Sequence, residues 1–242
     1  MLKRPKKSVH SHTKHSHTNN SRQPPKIDTH HRISKTNNNN NNSNSRNSRN
    51  SRNSNKVRII GGQFKSRQIQ FVSADGLRPT PDRLRETLFN WLMGHLNDAN
   101  VLDMCAGSGI LGFEALSRGA KHVTFIEPNP TQNTQLQRTI SQLTLGDDKV
   151  TVINATAQHA LTTALPHQFD LVFIDPPYSL NLWQILLDLL IEQKCLQKNS
   201  LIYLEANNPL EQVMSSWQQA NQLQIMKHKK IGQIFAYLIS IK

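Results

Sequence analysis

The chain has 242 residues, 36% of them hydrophobic, and a formal net charge of +13. The charge is uneven: residues 1–55 hold 12 Lys/Arg against one acid, Asp28, and residues 56–242 hold 17 Lys/Arg against 15 acids. No stretch approaches the roughly 18 apolar residues of a membrane-spanning helix, and the basic start MLKRPKKSVHSH lacks the apolar core of a secretory signal. Cys105 and Cys195 are too few and too far apart for a disulfide framework or a Cys-x-x-Cys metal site. A cytoplasmic, reduced protein is expected, with no membrane partner. His95, His122, His159 and His167 show no ligand spacing, so no metal is expected.

Residues 1–55 are rich in Asn, Ser, His, Lys and Arg and end in the crude repeat NSRNSRNSRNSN. So few apolar side chains cannot offset the entropy of ordering, and the composition predicts a disordered basic tail. Its charge suits weak, non-specific attraction to a polyanion. His10, His12, His15 and His17 read as part of the same polar tract.

From Lys56 periodicity begins. VRIIGG (57–62) and RQIQFV (67–72) read as two short strands of a hairpin. Thr80 suits a helix N-cap and Pro81 a first helical position. Leu84, Leu88, Trp91, Leu92 and His95 then share one face, so a helix is expected over 81–96 with Trp91 in the core. From residue 99 apolar runs alternate with amphipathic ones. Strands are expected at 101–104, 122–127, 149–154, 169–175 and 200–206. Helices are expected at 109–119, 130–143, 157–165, 182–193 and 209–217, and LQIMKHKKIG with QIFAYLISI closes the chain as a hairpin. This alternation predicts an α/β doubly wound parallel sheet with an antiparallel finish, whose ligands sit at the carboxyl ends of the strands. The expected organisation is a tail (1–55), a hairpin-and-helix extension (56–98) and a main domain (99–242).

Three strand ends carry chemistry. The first, VLDMCAGSGILG, sets Asp103 before Gly107 and Gly109, a tight turn that needs glycine, with Gly112 allowing close helix packing. Gly107, Gly109 and Gly112 also satisfy a dinucleotide-binding spacing. Asp103 would repel a pyrophosphate, however, and suits the cationic amino-acid end of S-adenosylmethionine (SAM), which has no phosphate. Glu127, 20 residues beyond Gly107, suits a carboxylate that accepts both hydroxyls of a ribose. The third end is Asp175-Pro176-Pro177-Tyr178. Consecutive prolines make a rigid turn without N–H groups. The Asp175 carboxylate and the Pro176 carbonyl can accept the two N–H bonds of an exocyclic amine, and Tyr178 can stack on its base. Cys105 beside the glycine turn reads as packing, because methyl transfer to an amine needs no covalent nucleophile.

The stretches RIIGG (58–62), RPTPDRLRETLFNWL (78–92), LDMCAGSGILGFEALSRGA (102–120), FIE (125–127), FDLVFIDPPY (169–178) and IYLE (202–205) resemble the RsmD family, 16S rRNA guanine-N2 methyltransferases. The glycine turn and the proline turn are shared with many amino-group methyltransferases; the stretches before residue 93 are more particular. The resemblance covers residues 57–242. It implies the seven-stranded Rossmann-like SAM-dependent methyltransferase sheet and methylation of guanine N2 at position 966 of 16S rRNA, within a small-subunit assembly particle, by a monomer. It also implies that SAM lies against Asp103, Ala106, Gly107, Gly109, Glu127 and Thr156, and the target base against Asp175, Pro176, Pro177 and Tyr178. Arg58, Arg67, Arg78, Thr80, Arg83 and Arg85 fall in segments associated with RNA contact or with closing the cofactor pocket. This chain departs from the family pattern at Ser66, often glycine, and at Thr156, commonly Asn or Asp. Other readings of the same motifs are methylation of DNA adenine or protein glutamine, and a non-catalytic RNA-binding protein on this fold.

Overall fold

The structure, a computed structural model, describes residues 56–73, 79–163, 165, 168–214 and 223–241. The tail expectations, Arg78, His167 and the end of the helix expected over 209–217 lie outside the described residues. All described residues belong to one compact unit, residues 51–242.

A hairpin of β1 (Lys56–Arg58) and β2 (Gln68–Gln70) leads into helix α1 (Asp82–Trp91). Six further strands alternate with helices: β3 (Asn100–Asp103), α2 (Ile110–Ser117), β4 (His122–Ile126), α3 (Pro130–Gln142), β5 (Val150–Ile153), α4 (Ala157–Thr163), β6 (Phe169–Ile174), α5 (Trp183–Glu192), β7 (Leu196–Ala206), α6 (Leu210–Val213) and β8 (Leu223–Ile231). The last strand, β9 (Ile234–Ile241), returns antiparallel between β7 and β8. The seven strands of the main sheet run β5-β4-β3-β6-β7-β9-β8. The chain winds outward in one direction from β3 and in the other from β6, so the topological switch falls between these neighbours. Asp103 ends β3 and Asp175 follows β6, which sets both carboxylates at the crevice such sheets use for ligands.

The sheet buries a core on each face. On one, α1, α2 and the hairpin cover Val101, Val123, Phe173 and Tyr203; on the other, α4 and α5 cover Leu102, Val172, Ile202 and Ile239. The alternation Leu102/Asp103 and Val172/Phe173 follows the period-two pleat. Gly112 has the packing role its position suggested: a Cβ there would lie 2.2 Å from the Phe125 ring.

Helix α1 differs from its expected form. Thr80 does not cap it; the first turn is closed by the Pro81 carbonyl, which accepts from Leu84 and Arg85. The helix stops at Trp91 because Gly94, at φ +84°, turns the chain left-handed. His95 therefore leaves the apolar face and is exposed, and Trp91 packs partly buried against the core.

Candidate active site

The glycine turn joins β3 to α2. Gly107 and Gly109 have φ +50° and +74°, a region that costs a residue with a Cβ about 1–2 kcal/mol. A Cβ on Gly109 would also strike Leu136 and Phe113 at 2.5 and 2.7 Å. This glycine is thus required by backbone conformation and core packing. The turn is tied to β4: Ala106 N–H donates to the Ile126 carbonyl (3.0 Å) and Gly107 N–H to Glu127 Oε2 (2.9 Å).

Glu127 Oε1 accepts from Asn129 N–H (2.8 Å). Asn129 also caps α3, its side chain accepting from Thr131 and Gln132, with Pro130 at the first helical position. Burial raises the Glu127 pKa, and the two N–H bonds oppose that rise. Each carboxylate oxygen keeps a further lone pair. Beside it, Gln132 Nε2 and Asn133 Oδ1 are buried without a partner. A carboxylate with spare acceptors and two unsatisfied polar atoms suits a ribose and its attached base, so these residues fit a nucleoside cofactor. Thr156 is exposed, and its hydroxyl accepts from His159 N–H (3.3 Å) at the start of α4.

Asp103 is buried and accepts from Gly112 N–H (3.2 Å). Burial, opposed by that bond and reinforced by the Glu127 charge, pushes its pKa up to about 7. Such a carboxyl group favours a cation beside it, which holds it ionised. Cys105 lies among Asp103, Glu127 and Asp175. Burial and these three negative charges keep its thiol well above the usual range, so it stays protonated and unreactive.

The proline turn leaves β6 partly buried at Asp175 and Tyr178, with Pro176 buried and Pro177 exposed. A single 3₁₀ turn, Tyr178–Leu180, follows, closed by Leu180 N–H on the Pro177 carbonyl (2.9 Å). A residue not singled out from sequence joins here. Glu205, near the end of β7, is buried and accepts from three hydroxyls: Tyr203 (3.0 Å), Tyr178 (3.2 Å) and Thr80 (3.4 Å). Trp183 Nε1 donates to its backbone carbonyl (2.9 Å), and the Trp183 ring lies 6.1 Å from that of Tyr178. The signal was present in IYLE: an acid that closes an apolar strand at the ligand end of the sheet. Burial and the charges of Glu205 and Asp103 hold Asp175 well above the usual carboxylate range, and the Thr80 hydroxyl opposes this. With three hydroxyl donors Glu205 is the better-supported anion of the pair, and Asp175 is the carboxylate that takes up a proton more readily.

The basic segment divides. Arg58, Arg67 and Arg83 are exposed on the hairpin and α1; Arg58 pairs with Asp82 (3.0 Å), and Arg67 donates to the Gln142 carbonyl (2.8 Å). Arg85 and Thr80 depart from the expected RNA contact. Arg85 is fully buried and donates to Glu114 Oε1 (2.6 Å), the Thr80 carbonyl (3.0 Å) and the Arg58 carbonyl (2.9 Å). Thr80 is buried and turned toward Glu205. Glu114 in turn accepts from Ile60 N–H and pairs with Arg118. These bonds fasten the hairpin and α1 to α2. Gly62 serves the same junction: at φ +73°, it leaves no room for a Cβ against the Ser117 carbonyl, which accepts from Gln63 N–H (2.7 Å).

A seven-stranded doubly wound sheet with a glycine turn after its first central strand and an Asp-Pro-Pro-Tyr end on the next is the arrangement of a Rossmann-like methyltransferase. Residues 57–240 match the family described as Conserved hypothetical protein 95. The Haemophilus influenzae protein named ribosomal RNA small subunit methyltransferase D is 45% identical over 152 residues, 62% of this chain and 78% of that one. Its namesake in Escherichia coli K12 is 41% identical over 165 residues, 67% of this chain and 81% of that one. The solved structure of Escherichia coli yhhF superposes with a TM-score of 0.67 at 34% identity, covering 77% of this chain and 98% of that one. The protein belongs to this methyltransferase family. The fold extends to a Podospora anserina methyltransferase solved with S-adenosylhomocysteine bound, 14% identical at a TM-score of 0.55, over 69% of this chain and 81% of that one.

Proposed function

We propose that this protein transfers a methyl group from SAM to the exocyclic N2 of one guanine, position 966, in 16S rRNA. In this reading it works as a cytoplasmic monomer on a small-subunit particle. The observation that carries the reading is the placement of Asp175-Pro-Pro-Tyr beside Asp103 and Glu127 at the topological switch. The relatives named ribosomal RNA small subunit methyltransferase D support an rRNA substrate, and the resemblance of the upstream stretches supports guanine N2. Among the described residues no helix is long and apolar enough to cross a membrane.

SAM, when bound, supplies an electrophilic methyl group on a sulfonium. Glu127 would hold the ribose hydroxyls and Asp103 the cationic amino-acid end, with Ala106, Gly107 and Gly109 shaping the turn against it. The target base leaves its stack to enter the site. Asp175 and the Pro176 carbonyl accept its amine N–H bonds and point the nitrogen lone pair at the methyl carbon. Tyr178 offers its ring to the base, steadied by Glu205. Formation of the C–N bond would break the bond from the methyl carbon to sulfur and release S-adenosylhomocysteine, and the proton the amine gives up would pass to Asp175, whose raised pKa suits it to accept. Arg58, Arg67, Arg78 and Arg83 supply phosphate contacts, while Arg85 and Thr80 hold the elements that carry them.

Mapping methylated residues by mass spectrometry after incubation with SAM and unmodified small-subunit particles tests this reading. N2-methylguanine at a single rRNA position is expected. Methylated adenine in DNA, methylated glutamine in a ribosomal protein, or no transfer would overturn it.

A further inference from the structure

Strand β8 contains Lys227-His228-Lys229-Lys230 and no acid. It is the edge of the sheet, paired only with β9, and all four residues are exposed. Among the described residues no carboxylate makes an ion pair with any of the three lysines. Both β7 and β8 run antiparallel to β9, so β8 points the same way as β6 and β7. Its basic run therefore ends at the catalytic side of the sheet. Register fixes the position further: Glu205 pairs with Ala236, and Ala236 with Lys229. Two strand spacings of about 4.8 Å set the Lys229 backbone roughly 10 Å from that of Glu205, and one more spacing reaches the level of Asp175.

A bulge between Ile225 and Lys227 shifts the alternation of the strand. Beyond it, Lys227 and Lys229 pair with Leu238 and Ala236, whose side chains belong to the core covered by α1 and the hairpin. His228 and Lys230 take the opposite face, where His228 stacks on Tyr237 and Lys230 lies 4.6 Å from the centre of the Phe235 ring. A groove along the strand is lined by His228, Lys229, Lys230, Phe235 and Tyr237 and also includes Glu211, which makes no ion pair with these lysines. Lys227 and Lys229 thus share one face, two residues or about 6.6 Å apart, and that face also carries exposed Arg58 and Arg83.

We propose that Lys227 and Lys229 of edge strand β8 form a contact for the phosphate backbone of the substrate RNA, flanking the site opposite the glycine turn. This rests on the rRNA reading above. The occupant is argued from charge and position: two unpaired ammonium groups at repeat spacing, three strands from the residue that holds the target base. At roughly 3.4 Å per stacked nucleotide, the roughly 14 Å of three strand spacings from the level of Asp175 to Lys229 corresponds to about four nucleotides.

The test compares the full-length protein with Lys227→Ala/Lys229→Ala and Lys227→Arg/Lys229→Arg on unmodified small-subunit particles across a salt series. The Ala pair is expected to raise KM for the particles about tenfold or more, with kcat and SAM affinity retained. The slope of log affinity against log salt should fall by about 1.5, the value for two phosphate contacts. The Arg pair should behave as wild type. Unchanged KM and salt slope in the Ala pair would overturn the proposal while wild-type methylation of the particles leaves the rRNA reading standing. Loss of SAM affinity in the Ala pair would overturn it as a structural effect. Absence of transfer by wild type would overturn both.

Discussion

The phenol oxygen of Tyr178 lies 3.2 Å from Oε1 of Glu205, so the last residue of the proline turn is tethered by its hydroxyl to the neighbouring strand. Glu205 holds the Tyr203 hydroxyl through its other oxygen. A stacking ring needs only its face, but this ring is also fixed in azimuth. Tyr178→Phe should therefore fall between wild type and Tyr178→Ala in methyl transfer. The Phe variant loses one hydrogen bond to a charged group, worth about 1.5–3 kcal/mol at most. The Ala variant also loses a stacking platform worth about 1–3 kcal/mol. Glu205→Gln should slow transfer and leave SAM affinity unchanged. Single-turnover rates alongside calorimetry check all three; a Phe variant equal to wild type would show that the tether is idle.

Asp103 makes SAM binding depend on pH. Its pKa is raised from 3.8 to about 7. Without ligand it holds its proton at pH 6 and gives it up by pH 8, and a cation binds the ionised form. SAM affinity should rise with pH between 6 and 8. The folding consequence has the opposite sign: the folded state binds the extra proton, so this group's contribution to stability is present below pH 4 and is lost as pH rises through 7. Dissociation constants at pH 6 and 8 for wild type and Asp103→Asn check the binding effect. The ratio of the two proteins cancels titration of SAM itself, and a ratio independent of pH would count against it.

Arg85→Ala should unfold the protein at much lower urea. Arg85 and Glu114 are both fully buried, and removing one partner of such a pair costs about 3–5 kcal/mol; Arg118 still pairs with Glu114, so the lower end of that range is expected. An arginine that served only RNA would leave the urea midpoint unchanged. Arg83→Ala, exposed on the same helix, should leave stability unaltered.

Ser66 sits at φ +70° in the turn between β1 and β2, its N–H bonded to the Ile59 carbonyl (2.8 Å). The resemblance leads one to expect glycine here, and the positive φ gives the physical reason. Ser66→Gly should stabilise by about 1 kcal/mol, raising Tm by roughly 2–4 °C. Calorimetric melting checks it; a lowered Tm would mean that the Ser66 side chain holds the turn.

The succession of strands and helices and the three strand ends that carry the motifs were legible because they depend on local signals. Apolar runs of four to seven residues separated by glycine, proline and Asn mark the strands, and the positive-φ turn of Gly107 and Gly109 marks the first site. Long-range pairing was not legible. Arg85 belongs to an Arg-rich segment in sequence, but its partner Glu114 is 29 residues away, and only the docking of α1 on α2 brings them together. Glu114 is a lone charge in the apolar run GILGFEALS, a mark of a buried ion pair that the reading of the sequence did not single out. Strand β7 begins at Leu196 rather than residue 200 because Leu196 pairs with Phe169 across an irregularity, which carries polar Lys198 and Asn199 into the strand.

The account rests on Asp175 holding and deprotonating an exocyclic amine next to a separately bound cofactor. The most direct measurement is single-turnover methylation of unmodified small-subunit particles by Asp175→Ala, with SAM affinity measured on the same preparation. Glu127, Asp103 and the glycine turn are untouched, so SAM affinity should be retained while the rate falls by about two orders of magnitude, the scale of a lost positioning or proton-accepting group. A near-wild-type rate with SAM bound would contradict the account.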